Sequence, residues 1–366
     1  MRWRWRRQGS DEHLVVSWSG QTFAYVLARA RVDGAHEVLK FGVERQGGNG
    51  TQDLVRQLQG LGLKGLQARV MLRPEQYQLL QVVAPAVAPD ELRLAVRYQI
   101  REMLHAPMDE VTLDVMRLGD GQQKGQGDLF VVAATNAVVR GVLDLGDAMH
   151  WSISVIDIQE TAQRNLQSAL AARDGRADHA NAALVLTDGQ QAVLTISANE
   201  ELFYTRRFEL PEEFLMGARV HGGDVSAGPA DSTGSFTPVD QYVPDYSVGG
   251  ISYGSDYTDT RTVSPVPVAG DAWGEMFKTQ RFLVEVQRSL DLWDRSWSSM
   301  PLNEVRVYAG ERSEELSKWL AVQLGQTVVP MDVNALFPGF EGGAAGDRAL
   351  CLPLLGVLLR SESRKL

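Results

Sequence analysis

The sequence predicts an α/β protein made of two like halves. Three observations predict it. Strand signals and helical stripes alternate along the chain. A hairpin head recurs, Val15-Val16-Ser17-Trp18-Ser19-Gly20-Gln21 lining up with Leu184-Val185-Leu186-Thr187-Asp188-Gly189-Gln190. And 366 residues are enough for two domains, each with its own core.

Residues 1–7, Met-Arg-Trp-Arg-Trp-Arg-Arg, alternate cations with indoles and head a tail taken as 1–12. Such a tail is either a solvated terminus or a contact with an anionic membrane face, where each basic residue contributes roughly 1 kcal/mol. Strands are predicted at 13–18, 22–31 and near 36–43. A short helix follows on Leu54, Leu58 and Leu61, then a strand at 68–72 and an extended stretch at 76–84. In 89–118, Pro89 suits a first helical turn, and Asp90 and Glu91 suit the positive end of its dipole. Leu92, Val96, Ile100 and Met103 then form an apolar stripe, with Arg93, Arg97 and Arg101 in a basic row on another face. Pro107 is expected to stop this helix, and Val111, Leu113 and Val115 alternate as a half-buried strand should. Asp128–Ala134 reads as a buried strand, 136–148 as a helix, 151–157 as a strand and Gln159–Arg173 as a helix. Asp174–Asn181 is a polar connection between halves.

The second half restarts the pattern, with strands at Ala183–Leu186 and Ala192–Ser197 about an Asp188-Gly189 turn, and a third at Glu201–Leu210. Residues 217–272 are rich in Gly, Ser, Asp, Tyr, Val and Pro, lack Lys and show no period, so a disordered insert is expected there. Phe277–Trp297 carries Leu283, Val286, Leu290 and Trp293 on one helical stripe. Val305–Tyr308 reads as a strand, Ser313–Leu324 as a helix and 349–360 as an apolar closing element.

The formal charge of −10 argues against a general nucleic-acid binder. A single cysteine, Cys351, excludes a disulfide framework and fits a reducing compartment. No apolar run reaches the ~18–20 residues that span a bilayer, and no apolar core follows the N-terminal charges, so a cytoplasmic protein is expected. Gly250-Ile-Ser-Tyr-Gly254 matches Gly-x-Ser-x-Gly, but Ser252 would need a strained strand-to-helix turn and lies in the low-complexity insert. The histidines at 13, 36, 105, 150, 179 and 221 show no ligand spacing, so no metal is expected. Asp11-Glu12-His13 reads as a polar lead-in to the first strand. The Arg93, Arg97, Arg101 row is either a solvated helix face or a contact surface for an acidic partner or lipid head groups.

A helix opening on Asp90-Glu91-Leu92, a Pro-containing turn and then Asp109-Glu110-Val111-Thr112-Leu113-Asp114-Val115 resemble the PilM family of type IV pilus assembly proteins. Within it, the branch serving the mannose-sensitive haemagglutinin pilus is the most similar. Asp128–Asn136, Val155–Leu166 and Phe277–Gly310 continue the resemblance in the same order. It implies an actin-like fold, two RNase H-like subdomains about a cleft. Subdomain I would take 13–180 and carry a small extra subdomain at about 74–127; subdomain II would take 181–366 and carry the insert.

The resemblance also implies where chemistry should lie. An active member needs a carboxylate on each head hairpin to hold metal-bound phosphates. The family's Gly-Ile-Asp-Ile-Gly-Ser-Ser is met by Val15–Gln21 with Ser17 in the acidic position, and Val-Asp-Ile-Gly-Ala-Ser by Val185–Gln190 with Leu186 there. A slip of register would offer Asp188, in the turn. The late Gly-Gly-Gly is met by Ala309-Gly310-Glu311, where Glu311 adds negative charge; Gln159 alone keeps a water-positioning chemistry. No ATPase and no cofactor are therefore expected. The implied function is a scaffold at the cytoplasmic side of the inner membrane. It would bind the cytoplasmic peptide of a bitopic PilN-like partner, contact other platform components, and offer Arg97, Tyr98 and Arg101 as a partner face. The alternatives are an ATP-driven actin-like ATPase in the same assembly, and an esterase using Ser252.

Overall fold

The structure is a computed structural model that describes residues 12–32, 34–46, 51–88, 90–118, 127–187, 191–210, 214 and 272–360, with backbone alone over 272–279. The basic, Trp-rich tail, Pro89, the Asp188-Gly189 turn, Ser252 and the insert up to 271 lie outside the described residues.

In the first half, β1 (Glu12–Ser19), β2 (Thr22–Ala30) and β3 (His36–Arg45) form an antiparallel meander. Leu54 and Leu58 seat α1 (Thr51–Gly60) on the sheet, and β4 (Gln67–Leu72) returns parallel to β1. β5 (Tyr77–Val83), α2 (Leu92–Gln99), β6 (Val111–Arg117) and β7 (Asp128–Thr135) then build a separate three-stranded sheet, order β5-β7-β6, with α2 on one face. α3 (Asn136–Met149) leads to β8 (Ser152–Ile158), parallel beside β4, and on to α4 (Gln159–Arg173). The second half repeats the first with β9 (Ala180–Leu186), β10 (Gln191–Ala198), β11 (Glu201–Glu209), α5 (Ala272–Ser296), β12 (Leu302–Tyr308), α6 (Ser313–Leu324), β13 (Val328–Pro330) and α7 (Ala345–Leu358). The two large sheets run β3-β2-β1-β4-β8 and β11-β10-β9-β12-β13, the same order twice. The fold is actin-like, as the resemblance implies.

Strand alternation sends each sheet's apolar residues to two sides. Leu14 and Val16 face α1 and α3, while Val15 faces the centre of the molecule. Leu184 and Leu186 face α5 and α6, while Ala183 and Val185 face the centre. The central layer is α4 and α7, and they are exchanged. α4, from the first half, lies on β9, β10 and β11; α7, from the second, lies on β1, β2, β3 and β4. Gln163 Nε2 donates to the carbonyls of Ala183 (2.8 Å) and Val193 (3.0 Å), fixing α4 to the second sheet through polar groups with no apolar signature. Arg69 on β4 caps α7 by donating to the carbonyls of Val357 at 2.8 Å and Leu358 at 3.2 Å in its last turn. α4 and α7 cross at Gly356, where an added Cβ would stand 1.9 Å from the Ala162 carbonyl oxygen.

The second half also covers an edge of the first. Val38 N–H on β3 donates to Pro338 C=O at 2.8 Å, and Gly339 (φ +93°) has no room for a Cβ beside the Val38 carbonyl. Covering an edge strand removes a template for aggregation.

Two expectations for the central helix need correction. Leu92, Val96 and Ile100 are buried, but Met103 is 44% exposed. α2 ends at Gln99 and runs into a 3-10 turn at Arg101–Met103, whose tighter winding rotates Met103 off the stripe. Nor does Pro107 stop the helix. The helix has ended before it, at Gln99, and Gln78 on β5 holds the segment after the 3-10 turn, donating to Met103 C=O (3.3 Å) and accepting from His105 N–H (2.9 Å).

Candidate functional site: the cleft between the halves

The head of β1, the residue following β9, the segment after β4 and the first turn of α4 meet at a cleft between the halves. Ser17, Arg73, Gln159 and Thr187 line a cavity of about 20 Å³ there, with Leu350 and Pro353 of α7 as its apolar wall. That is room for about one water molecule. Ser17 is 1% exposed and its Oγ has no hydrogen-bond partner among the described residues, the kind of orphan that ordered water satisfies. Ser17 thus stands on the cleft wall, where the resemblance places its acidic residue.

Leu186 does not. It is fully buried against α5 and α6, on the far side of the second sheet, and Thr187 lines the cleft instead. Side chains alternate along a strand, so pairing the two hairpins one residue out of register exchanges the faces. Gln159 is where the sequence reading puts it, 4% exposed in the cleft wall. Ala309-Gly310-Glu311 makes a turn closed by Ser313, whose Oγ accepts from Ala309 N–H at 2.9 Å. Glu311 points to solvent, away from the cavity lining. Among the described residues, no group of three or more His, Cys, Asp or Glu is placed to hold a metal ion.

Beside the cavity sits a charged cluster that the sequence reading missed. Glu160, 0% exposed, accepts from Arg207 Nε at 2.8 Å and from the Tyr77 hydroxyl. Tyr77 OH in turn accepts from Gln159 N–H at 3.2 Å. Burial first, then the Glu160 carboxylate, pushes the Tyr77 phenol well above its ordinary range. Arg207 also donates to Pro74 C=O at 2.8 Å and lies over the Tyr77 ring, 4.6 Å from its centroid. Nearby, Asp157 accepts from Ile158 N–H (2.9 Å) and pairs with Arg360 (2.8 Å), tying the end of β8 to the residues after α7.

The partner face read from the sequence lies elsewhere, on the outer side of the small subdomain. Tyr98 is 74% exposed, and Arg97 and Arg101 are also exposed. Arg97 donates to Met108 C=O at 2.9 Å, and Arg93 pairs with Asp114 at 2.8 Å. Glu12, from the Asp11-Glu12-His13 triplet, pairs with Arg29 across the hairpin at 3.0 Å.

No protein-family model and no curated protein sequence matches this chain. A solved structure of the PilM-PilN type IV pilus biogenesis complex matches 96% of this chain and 100% of its own, with a TM-score of 0.62 and 13% identity. This chain has the PilM fold. A Bacteroides thetaiotaomicron protein with actin-like ATPase fold and unknown function is similar over 94% of this chain and 97% of its own, with a TM-score of 0.45 and 7% identity. The cytoplasmic domain of EpsL, an inner membrane component of the type II secretion system of Vibrio cholerae, is similar over 54% of this chain and 71% of its own, with a TM-score of 0.37 and 15% identity. At such identities the likeness is one of fold. Among the described residues no helix is long and apolar enough to cross a membrane.

Proposed function

We propose that this chain is a non-catalytic, PilM-like scaffold of type IV pilus biogenesis, of the MshI kind that serves the mannose-sensitive haemagglutinin pilus. It works at the cytoplasmic face of the inner membrane, where it binds the cytoplasmic peptide of a bitopic PilN-like protein and meets other platform components. The observation that carries this reading is the match to the PilM-PilN complex over 96% of this chain and 100% of that one. The ordered motifs of the central helix and its following strand support the same assignment.

The cleft supports the non-catalytic part. Its two hairpin heads offer the hydroxyls of Ser17 and Thr187 where metal-bound phosphates call for carboxylates. Titration calorimetry with magnesium-ATP tests this, and no heat of binding is expected at micromolar protein. A micromolar dissociation constant would favour the ATPase reading instead. For the scaffold itself, the chain immobilised as bait should capture a single-span inner-membrane protein of the pilus system, and a synthetic peptide of that protein's cytoplasmic terminus should compete. Capture of pilus proteins with no competition by the peptide would refute the proposed mode of binding.

A further inference from the structure

We propose that Tyr77, Glu160 and Arg207 form a latch that holds the halves closed and ties the root of the small subdomain to the second half, so that the cleft opens only when Arg207 withdraws. The three residues come from three different bodies. Tyr77 begins β5, directly after the Arg73–Gln76 link out of the first sheet; Glu160 lies in the first turn of α4; Arg207 belongs to β11 of the second sheet. Both Glu160 oxygens are engaged, one by Arg207 and the other by Tyr77. A carboxylate with no exposure is costly to leave without its cation, so withdrawing Arg207 from Glu160 and Tyr77 is opposed here. Beside it in the cleft wall, Ser17 Oγ has no hydrogen-bond partner among the described residues.

Arg207 is the side from which the latch releases, because its side chain is 28% exposed while Glu160 is wholly enclosed. Its bond to Pro74 C=O extends the effect. Residues 74–77 are the stalk of the small subdomain, so movement of β11 relative to the first half also pulls on the sheet that carries α2. The latch therefore couples the angle between the halves to the orientation of the small subdomain, and this holds whether or not the chain serves a pilus.

The test uses thiol labelling of the full chain carrying Ser17→Cys as a cleft reporter. The native Cys351 is the internal control, since burial pushes its thiol up to about 12 and it sits in the shared core, where only global unfolding frees it. Arg207→Ala should raise maleimide labelling at position 17 by about tenfold or more, the loss of one charge-assisted hydrogen bond, while Cys351 stays unreacted. Glu160→Gln combined with Arg207→Leu removes the pair without leaving a buried charge, and decides the matter if the single variant does not fold. Faster labelling at 17 with Cys351 protected supports the latch. Unchanged labelling, or equal acceleration at 17 and 351, overturns it.

Discussion

Gly356→Ala should destabilise the protein although it replaces the poorest ordinary helix former with the best. The new Cβ would lie 1.9 Å from the Ala162 carbonyl oxygen and 2.5 Å from its carbon. A normal carbon–oxygen contact is about 3.3 Å or more, so α4 and α7 must part by more than about 1 Å. Over-packing of this kind costs roughly 1–3 kcal/mol, and here backbone meets backbone, which puts the cost at the upper end. Moving the helices also disturbs the bond from Asn165 Nδ2 to Gly356 C=O, 3.0 Å in the native protein. That adds about 1 kcal/mol, which offsets the ~1 kcal/mol of helix propensity gained. The net expectation is a loss of about 2–3 kcal/mol. Gly141 in α3 is the control: nothing lies within 4 Å of its Cβ position, so only propensity acts. Gly141→Ala should stabilise by about 0.5–1 kcal/mol. Urea unfolding followed by tryptophan fluorescence reads both, as midpoint shifts of opposite sign at constant slope. A Gly356→Ala protein as stable as its parent would refute the close crossing.

Three further outcomes are expected. Arg97→Ala, Tyr98→Ala and Arg101→Ala should each leave the melting temperature nearly unaltered, since all three are exposed; fluorescence anisotropy should show partner-peptide affinity falling roughly thirtyfold, the loss of about 2 kcal/mol typical of a hot spot. Unaltered affinity would move the partner face elsewhere. Arg69→Met strips the cap from α7 and should cost roughly 1–3 kcal/mol in the same urea assay, whereas a silent substitution would mean that water serves those carbonyls as well. The third concerns pH. Burial first, then His13 and Arg69, holds the His36 imidazole below its ordinary value, and its Nδ1 is buried with no partner among the described residues. The unfolded chain therefore takes up the proton more readily than the fold. The stability His36 contributes is present in full above the unfolded value of about 6.5 and is lost as pH falls through the lower folded one, so the urea midpoint should drop as pH falls below about 6.5. His36→Gln should flatten that drop; an unchanged slope would assign it to other groups.

The sequence made the two halves legible because each rests on local signals. The helix Gln159–Arg173 and the helix Ser313–Leu324 have the bounds their patterns predict, and the repeated hairpin marks both sheets. What stayed hidden depends on tertiary placement. β13 has three residues and ends in Pro330, too little for a strand pattern. The segment after α2 is held by Gln78, a side chain on another element. At the cleft, Ser17 and Gln159 are legible from motif position, whereas Leu186 faces α5 and α6 because a one-residue shift in strand phase, invisible to a motif, exchanges the two faces. Tyr77, Glu160 and Arg207 form one cluster although 83 residues separate the first pair and 47 the second, and no periodicity joins residues so far apart.

The exchange of α4 and α7 governs the order in which a nascent chain can finish folding. The central face of the first sheet, with Val15, Ala24, Val26, Ala28 and Met71, is completed early in synthesis, but the helix that covers it is encoded at the far end of the chain. The contacts of Arg69 with α7 span 288 residues and those of Cys351 with Tyr25 span 326. At roughly 5–20 residues per second, the remaining half takes on the order of ten seconds or more to leave the ribosome. Through that interval the first sheet presents an open apolar face, a natural ligand for a chaperone and a hazard for misassembly with a neighbouring chain. A first half released alone would keep that face permanently bare.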